Sequence, residues 1–216
     1  MYNYLLFDLD GTLTNPKEGI TKCVQYALHA LDIYEPDLDK LVPFIGPPLR
    51  QSFLDFYQLE EQQALYAVEK YRERFSTVGL FENFPYPGIA TMLQQLQAQG
   101  KILAVASSKP TIFVEQILQK FSLDQYFQVI LGSNLDGSRT EKQEVIAEVL
   151  RQLHHPPAEQ LLMIGDRKYD VIGAKAMGIH CVGVAFGFAA PGELEESGAI
   201  YIAQTVADLQ QYLLSH

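Results

Sequence analysis

Residues Tyr4–Gly11, with the sequence YLLFDLDG, indicate the fold class. The first four residues form a continuous apolar run, which ends at the turn-forming sequence around Gly11. A short apolar run bounded by a turn is typical of a strand that is buried on both faces of a parallel sheet. Asp8 and Asp10 follow this strand directly, and if Leu9 continued it their carboxylates would share one face.

Apolar runs of the same kind recur along the chain and alternate with segments of helical periodicity. The further predicted strands are Ile102–Ala106, Val129–Leu131, Leu161–Ile164 and Cys181–Val184, and the helices between them are Ile89–Gln99, Thr111–Lys120, Glu141–Leu153 and Asp170–Met177. Strands that alternate with helices of this length indicate right-handed βαβ units. The sequence therefore predicts an α/β fold with a Rossmann-like parallel sheet.

One long segment, residues 16–84, interrupts the alternation. It lacks a convincing buried strand, and its apolar residues have helical spacing over Glu18–Leu31, Arg50–Tyr57 and Glu61–Phe75. We therefore expect residues 16–84 to form an inserted helical domain. Residues 1–15 and 85–216 would form the catalytic core.

The composition narrows the classes of partner. The formal charge of −10 argues against nucleic-acid binding, which needs clustered basic residues. Two cysteines far apart in sequence suit a reducing cytoplasm. Neither a signal peptide nor a membrane-spanning apolar run is recognisable, so we expect a cytoplasmic protein without a membrane partner, either a monomer or a weak homodimer.

Polar side chains follow four of the predicted strands, where open α/β sheets bind their ligands. They are Asp8 and Asp10, then Ser107 and Ser108, then Lys142, and finally Asp166 and Asp170. Each group alone has an ordinary explanation as a turn, a helix cap or a solvated lysine. Four such groups after successive strands indicate one shared site.

These residue types suit phosphoryl transfer. Clustered carboxylates repel one another unless a cation lies among them, and carboxylate oxygens suit Mg²⁺. Lys142, the Ser107 hydroxyl and backbone amides near Ser108 and Gly11 would stabilise charge on a phosphoryl group. One carboxylate could attack phosphorus while a second carboxyl, two residues on, exchanges protons with the leaving group and water. The expected partner is therefore a small phosphomonoester.

The same residues resemble the motifs of the haloacid dehalogenase superfamily. Phe7–Thr14 is similar to its first motif, hhDxDGTh, and Gly165–Asp170 to its fourth, GDxxxD, while Ser107 and Lys142 match the second and third. The resemblance implies that Asp8 is nucleophile and metal ligand. Asp10 would be the general acid and base and would bind the metal through its backbone carbonyl.

The resemblance also implies roles for the remaining site residues. Asp166 would be a Mg²⁺ ligand, and Asp170 either a further ligand or a hydrogen-bond acceptor beside one. Gly11 and Thr12, together with Ser107, Ser108 and Lys142, would bind phosphate. The helical insertion resembles the C1 cap of the superfamily, a lid that excludes water and carries specificity residues.

Two subfamilies are similar, the phosphoglycolate phosphatases and a group of bacterial 5′-nucleotidases. Lys142 is followed by Gln143-Glu144 where many phosphoglycolate phosphatases have Lys-Pro, whereas residues 107–110 and 130–139 are closer to the nucleotidase group. In the helical insertion, Arg50 could bind a carboxylate or second phosphate of the substrate, or only pair with a nearby acid. Aromatic residues of the same region could stack a base or form the core of the insertion: Phe44, Phe53, Phe56 and Tyr57.

Four other functions use related residues. A receiver domain carries its phosphorylated aspartate on a middle strand and lacks a helical insertion after the first strand, so the order here disagrees. A dehalogenase would lack the carboxylate at Asp10. A sugar phosphomutase of the β-phosphoglucomutase type shares the motifs and stays open, and a phosphate-binding module without turnover is the remaining alternative.

Overall fold

In the computed structural model, which describes every residue from Met1 to His216, the run Tyr4–Phe7 forms a central strand of a parallel sheet. The strands are β1 (Tyr4–Phe7), β2 (Thr14–Asn15), β3 (Phe84–Pro85), β4 (Ile102–Pro110), β5 (Val129–Ser133), β6 (Leu161–Gly165), β7 (His180–Val184) and β8 (Tyr201–Ala203). Six of them form one sheet in the order β5-β4-β1-β6-β7-β8, and β2 pairs with β3. Every pair in the six-stranded sheet is parallel.

Nine α-helices accompany these strands. They are α1 (Lys17–His29), α2 (Leu49–Tyr57), α3 (Glu61–Phe75), α4 (Ile89–Ala98), α5 (Thr111–Lys120), α6 (Lys142–Gln152), α7 (Lys168–Ala176), α8 (Glu193–Ser197) and α9 (Val206–Ser215). Four short 3₁₀ helices span Leu38–Phe44, Gly79–Phe81, Asp124–Tyr126 and Ala158–Gln160. The predicted α/β class with a parallel sheet is confirmed.

The chain divides into two compact units. One consists of residues 1–15 and 85–216 and contains the six-stranded sheet, and the other consists of residues 16–84 and contains α1, α2 and α3. No helix in the structure combines the length and the apolar character that crossing a bilayer requires.

The sheet is buried on both faces, which explains the unbroken apolar run of β1. Leu5, Leu6 and Phe7 have no exposed surface. Leu6 packs in one core cluster with Ala104 and Met163 of the neighbouring strands and with residues of α6 and α7. In the parallel register of these strands, Phe7 at the end of β1 lies opposite Val105 of β4 and Ile164 of β6.

Two sequence expectations for the strand ends need correction. β1 ends at Phe7, so Leu9 does not continue the strand. Strand alternation therefore does not explain how Asp8 and Asp10 are placed. β4 extends to Pro110, so Ser107 and Ser108 lie within the strand, at a register irregularity between Ala106 and Pro110. Like a β-bulge, such an irregularity re-aims side chains, and β-bulges are frequent beside active sites.

Candidate active site

Asp8 is positioned by the junction of β1 and β6. Its backbone N–H donates to the carbonyl of Ile164 at 2.9 Å. This bond continues the hydrogen bonding between β1 and β6 one residue past the end of β1. Leu9 is fully buried and holds the following turn against the core. Asp8 and Asp10 are themselves only 4% and 7% exposed, so both carboxylates lie in a protected site at the carboxyl edge of the sheet.

Gly11 makes the turn around this edge. Its φ of +82° lies in the left-handed region that favours glycine, and its N–H donates to the carbonyl of Thr14 at 2.8 Å. A Cβ at this position would overlap the Asp166 carboxylate. The first and fourth motifs therefore approach so closely that only glycine fits between them.

Lys142 connects three parts of the site. Its Nζ lies 3.0 Å from Oδ1 of Asp8 and 2.7 Å from Oδ1 of Asp170, and it donates to the carbonyl of Ala106 at 3.0 Å. Burial alone would lower the pKa of Lys142, but the charges of Asp170 and Asp8 outweigh it, and the pKa is raised. Lys142 is therefore a protonated ammonium at any physiological pH.

The position of Lys142 follows from the start of its helix. Glu141 precedes α6, and its backbone N–H donates to the Glu144 carboxylate at 3.2 Å. This hydrogen bond is one half of a reciprocal capping box. Because the box begins the helix at Lys142, this side chain lies in the first turn, beside the ends of β4 and β1. The lysine lacks a rigid motif in the sequence, but its capping box marks the helix start.

Three carboxylates converge next to Lys142. Asp8, Asp166 and Asp170 are buried, and each offers one oxygen within 4.8 Å of the others. Asp170 also caps α7, accepting from the N–H of Arg167 at 3.1 Å. Burial, with the charges of Asp170 and Asp8 beside it, raises the pKa of Asp166 well above its usual range. This crowding of desolvated carboxylates is costly unless a cation accompanies it.

Asp166 supplies the observation that tests the fit of a metal. Its Oδ2 accepts from the N–H of Phe188 at 2.7 Å, whereas its Oδ1 is buried and has no hydrogen-bond partner. A buried carboxylate oxygen without a partner, within reach of two further carboxylates, is an acceptor that a hard cation satisfies. The residues therefore fit Mg²⁺.

Lys109 forms an ion pair that the sequence analysis did not predict. Its Nζ lies 2.6 Å from Oδ2 of Asp10, and both side chains are almost fully buried. Burial raises the pKa of Asp10, and the attraction of Lys109 only partly offsets this effect. No sequence pattern indicated this pair, because Lys109 lies where the register of β4 is irregular, between Ala106 and Pro110.

The residues expected to bind phosphate differ in their hydrogen-bond contacts. Ser107 is 2% exposed, and its hydroxyl accepts from the N–H of Lys109 at 3.4 Å. Ser108 uses its carbonyl to accept from the Ser133 hydroxyl at 2.8 Å. The hydroxyl of Thr12 is buried without a partner. Ser107 is therefore buried in the irregular segment of β4, where its hydroxyl contacts the backbone of Lys109.

Tyr86 is a further residue of this environment that the sequence analysis missed. Its hydroxyl is buried without a hydrogen-bond partner, and its ring packs edge-on against Phe186 at a centroid distance of 5.0 Å. Burial, together with the charges of Asp166 and Asp10, raises the pKa of Tyr86. The phenol is therefore a neutral donor near two site carboxylates.

In the helical unit, Arg50 pairs with an acid of its own unit. Its guanidinium makes a bidentate contact with the Glu61 carboxylate, in which Nε lies 2.7 Å from Oε1 and Nη2 contacts Oε2. Both side chains are about half exposed. This is the second of the two expectations for Arg50, pairing with a nearby acid.

The aromatic residues of the helical unit pack on one another. Phe44 contacts Phe53 at 5.0 Å, Phe56 at 5.3 Å and Tyr57 at 6.1 Å between ring centroids. Phe44 and Phe53 are buried, whereas Phe56 is 48% exposed. The group therefore forms part of the core of this unit, and Phe56 is its exposed member.

The assembled groups provide the components of nucleophilic phosphoryl transfer. Asp8 is a carboxylate held beside a permanent cation, Asp10 is a second carboxyl in a desolvated position, and Ser107 is a hydroxyl donor. An acidic cluster suited to a divalent cation lies on the same edge. These are the elements of covalent catalysis with general acid–base assistance.

Comparison with known proteins supports this interpretation. Residues 5–184 match the family described as haloacid dehalogenase-like hydrolase. A 5′-nucleotidase of Pseudomonas aeruginosa is 47% identical over 215 residues, covering 100% of this chain and 97% of the relative. The crystal structure of a predicted phosphatase from Clostridium acetobutylicum is 45% identical, with a TM-score of 0.97 and full coverage of both chains.

Two more distant relatives carry other names. The tyrosine-protein kinase PtkA of Mycobacterium tuberculosis is 35% identical, and the match covers 97% of this chain and 72% of the relative. The phosphoglycolate phosphatase of Escherichia coli is 26% identical, with 94% and 89% covered. Since the family match spans most of the sequence and the residues it carries converge on one buried site, this chain belongs to the haloacid dehalogenase-like hydrolase family.

Proposed function

We propose that this hydrolase is a magnesium-dependent phosphatase that releases phosphate from small phosphomonoesters through an aspartyl phosphate formed on Asp8. The observation that carries the proposal is the contact of Asp8 with Lys142, made inside the buried cluster of acidic residues. A structural salt bridge alone would not need two further buried carboxylates beside it. A nucleophile that transfers a phosphoryl group needs both the cation and the metal ligands.

In the first step, a carboxylate oxygen of Asp8 forms a bond to phosphorus while the bond from phosphorus to the ester oxygen breaks. Asp10 donates a proton to the departing oxygen. In the second step, a water oxygen attacks the same phosphorus, its proton passes to Asp10, and the bond to Asp8 breaks. Lys142 and the Ser107 hydroxyl stabilise negative charge on the phosphoryl oxygens in both steps.

Asp8 and Asp166 would hold Mg²⁺, with Asp170 and the backbone carbonyl of Asp10 as the remaining protein candidates. When bound, the metal neutralises the acidic cluster and attracts the anionic substrate into a protein whose net charge is −10. Asp170 has a second role in this arrangement, because its two oxygens contact Lys142 and cap α7. It therefore orients the lysine whether or not it reaches the metal.

Among substrates, nucleoside 5′-monophosphates are favoured over phosphoglycolate. The relative with 47% identity is named a 5′-nucleotidase, whereas the phosphoglycolate phosphatase above shares 26%. A phosphoglycolate enzyme also needs a cation for the substrate carboxylate, and the guanidinium of Arg50, the candidate from the sequence, is engaged by Glu61. Breaking that contact would be part of the cost of using Arg50 for substrate.

The test is phosphate release from nucleoside 5′-monophosphates, phosphoglycolate, sugar phosphates and p-nitrophenyl phosphate, each with Mg²⁺ and with EDTA. We expect metal-dependent release with the highest kcat/KM on a nucleotide, and little change on the nucleotide in Arg50→Met. A maximum on phosphoglycolate that Arg50→Met removes would overturn the substrate assignment. Absence of release from every ester, with Mg²⁺ present, would overturn the phosphatase proposal.

A further inference from the structure

The ion pair between Lys109 and Asp10 is buried, like the contacts of Lys142 with Asp8 and Asp170. Nζ of Lys109 lies 2.6 Å from Oδ2 of Asp10, and the two side chains are 6% and 10% exposed. Surface ion pairs are mobile and contribute little, whereas a desolvated pair at this distance has a defined geometry. The contact therefore fixes the orientation of the Asp10 carboxylate.

Only one oxygen of that carboxylate is held by the lysine. Oδ1 of Asp10 is buried and has no hydrogen-bond partner. Holding Oδ2 fixes the direction in which Oδ1 points, because the two oxygens share one rigid plane. Oδ1 is thus the oxygen available to exchange a proton with a ligand, and Lys109 determines where it lies.

The backbone that carries Lys109 is itself constrained. It lies in the irregular segment of β4 between Ala106 and Pro110, and its N–H donates to the Ser107 hydroxyl. On β5, a Cβ at Gly132 would overlap the Lys109 carbonyl, so the two strands approach closely at this point. The irregular segment of β4 therefore holds Ser107 and Lys109 next to each other.

We infer that Lys109 is a positioning residue, which orients Asp10 for proton transfer to the leaving oxygen of the substrate. This inference rests on the proposed function and adds to it a residue that acts through Asp10. If Lys109 orients the Asp10 carboxylate, replacing Lys109 should slow the reaction most for substrates whose leaving group needs a proton from Asp10.

Leaving groups separate this role from a merely structural one. An alkoxide is a poor leaving group and needs the proton that Asp10 donates, whereas p-nitrophenolate departs readily without one. Losing the orientation of Asp10 must therefore slow alkyl esters far more than p-nitrophenyl phosphate. The parameter to compare is kcat/KM, which includes the steps up to cleavage of the ester and excludes the later release of phosphate.

The experiment compares wild type, Lys109→Met and Lys109→Arg on p-nitrophenyl phosphate and on a nucleoside 5′-monophosphate, both with Mg²⁺. Lys101→Met is the matched control, since Lys101 precedes the same strand, is 8% exposed and donates only to the Tyr2 carbonyl at 2.6 Å. In Lys109→Met we expect kcat/KM on the nucleotide to fall about 100-fold, and on the nitrophenyl ester no more than about 5-fold.

Lys109→Arg, which keeps a cation, should recover part of the loss on the nucleotide, and Lys101→Met should leave the ratio of the two activities unchanged. Equal losses on both esters in Lys109→Met would overturn the inference, and so would an unchanged ratio. If Lys109→Met does not fold, the ratio measured in Lys109→Arg decides: a selective loss on the nucleotide supports the inference, and equal losses contradict it. Wild type lacking activity on both esters would instead contradict the proposed function.

Discussion

The ammonium of Lys142 lies 3.0 Å from Oδ1 of Asp8, and the side chains are 4% and 6% exposed. Lys142 also contacts Asp170, so one cation serves two buried carboxylates. Removing one member of a buried ionic group leaves the remaining charges desolvated and unpaired. The resulting loss of stability exceeds the net stability that the intact group contributes.

Lys142→Met should therefore be strongly destabilised in metal-free buffer, by about 3–5 kcal/mol. Mg²⁺ should restore part of this loss, because a second cation then neutralises the carboxylates. Urea unfolding with EDTA and with Mg²⁺ measures both effects. Lys101→Met, another buried lysine, should respond to Mg²⁺ as wild type does. A Lys142→Met protein as stable as wild type in EDTA would contradict this interpretation.

Asp166→Asn should remove the stabilisation that Mg²⁺ gives the folded protein. A ligand present at 100 times its Kd stabilises the native state by about 2.7 kcal/mol, so wild type should unfold at a higher temperature with Mg²⁺. Asp55→Asn changes an exposed aspartate and should keep the full shift. Thermal unfolding with and without Mg²⁺ makes the comparison, and an undiminished shift in Asp166→Asn would argue against the metal site.

Gly173 of α7 lies against Lys142 at the start of α6. A Cβ added at this glycine would lie 2.8 Å from Cγ and 2.9 Å from Cβ of Lys142, which is closer than such atoms pack. Gly173→Ala should push the lysine away from Asp8, costing about 1–3 kcal/mol in stability and lowering kcat. Ile172→Ala, at a side chain that is 54% exposed, is the control and should change stability by about 0.5 kcal/mol or less. A wild-type kcat in Gly173→Ala would contradict this prediction, because it would show that catalysis does not depend on the exact position of Lys142.

The helical unit contains a pH-dependent contact of its own. Arg74 hydrogen-bonds both oxygens of Glu82, at 2.8 Å and 3.1 Å, and this contact lowers the pKa of Glu82. A carboxylate with a lowered folded-state pKa contributes stability above its unfolded pKa and loses it as pH falls through the folded value.

Glu82→Gln should therefore be destabilised by about 1–3 kcal/mol near neutral pH and should approach wild type in acid. Urea unfolding across the range from about pH 7 to about pH 3 tests this. Glu69→Gln, at an exposed position of α3, should track wild type throughout. A constant difference between Glu82→Gln and wild type at every pH would rule out the titration of Glu82 as its cause.

The fold was predictable where short-range patterns determine it. The run Tyr4–Phe7 and the four later apolar runs became β1 and β4–β7, because burial on both faces demands continuous apolar residues. β8 was missed, since Tyr201–Ala203 is only three residues long and partly exposed. The helix α9 was missed as well, although the Thr205 hydroxyl accepts from Asp208 N–H at its start. The order of strands depends on long-range packing, which periodicity does not encode.

For the site, the rule that ligands bind at the carboxyl ends of parallel strands identified the residues that now converge around Lys142. It did not identify the partner of each. The pairing of Lys109 with Asp10 depends on the register irregularity of β4, and that of Arg50 with Glu61 depends on how α2 packs against α3. Both contacts depend on tertiary geometry. The first involves a residue to which the sequence assigned no role, and the second is one of the two alternatives that the sequence left open for Arg50.

The most direct test of the central claim is to locate the phosphoryl group on the enzyme. Asp10→Asn should still accept phosphate from p-nitrophenyl phosphate, which needs no proton, but should release it slowly because no base activates water. Acid quenching after mixing with the ester and Mg²⁺, followed by mass spectrometry of the proteolysed protein, should place one phosphoryl group on Asp8 and none in an Asp8→Asn, Asp10→Asn double variant. A phosphoryl group on Ser107, or phosphate release by Asp8→Asn at the wild-type rate, would contradict the account.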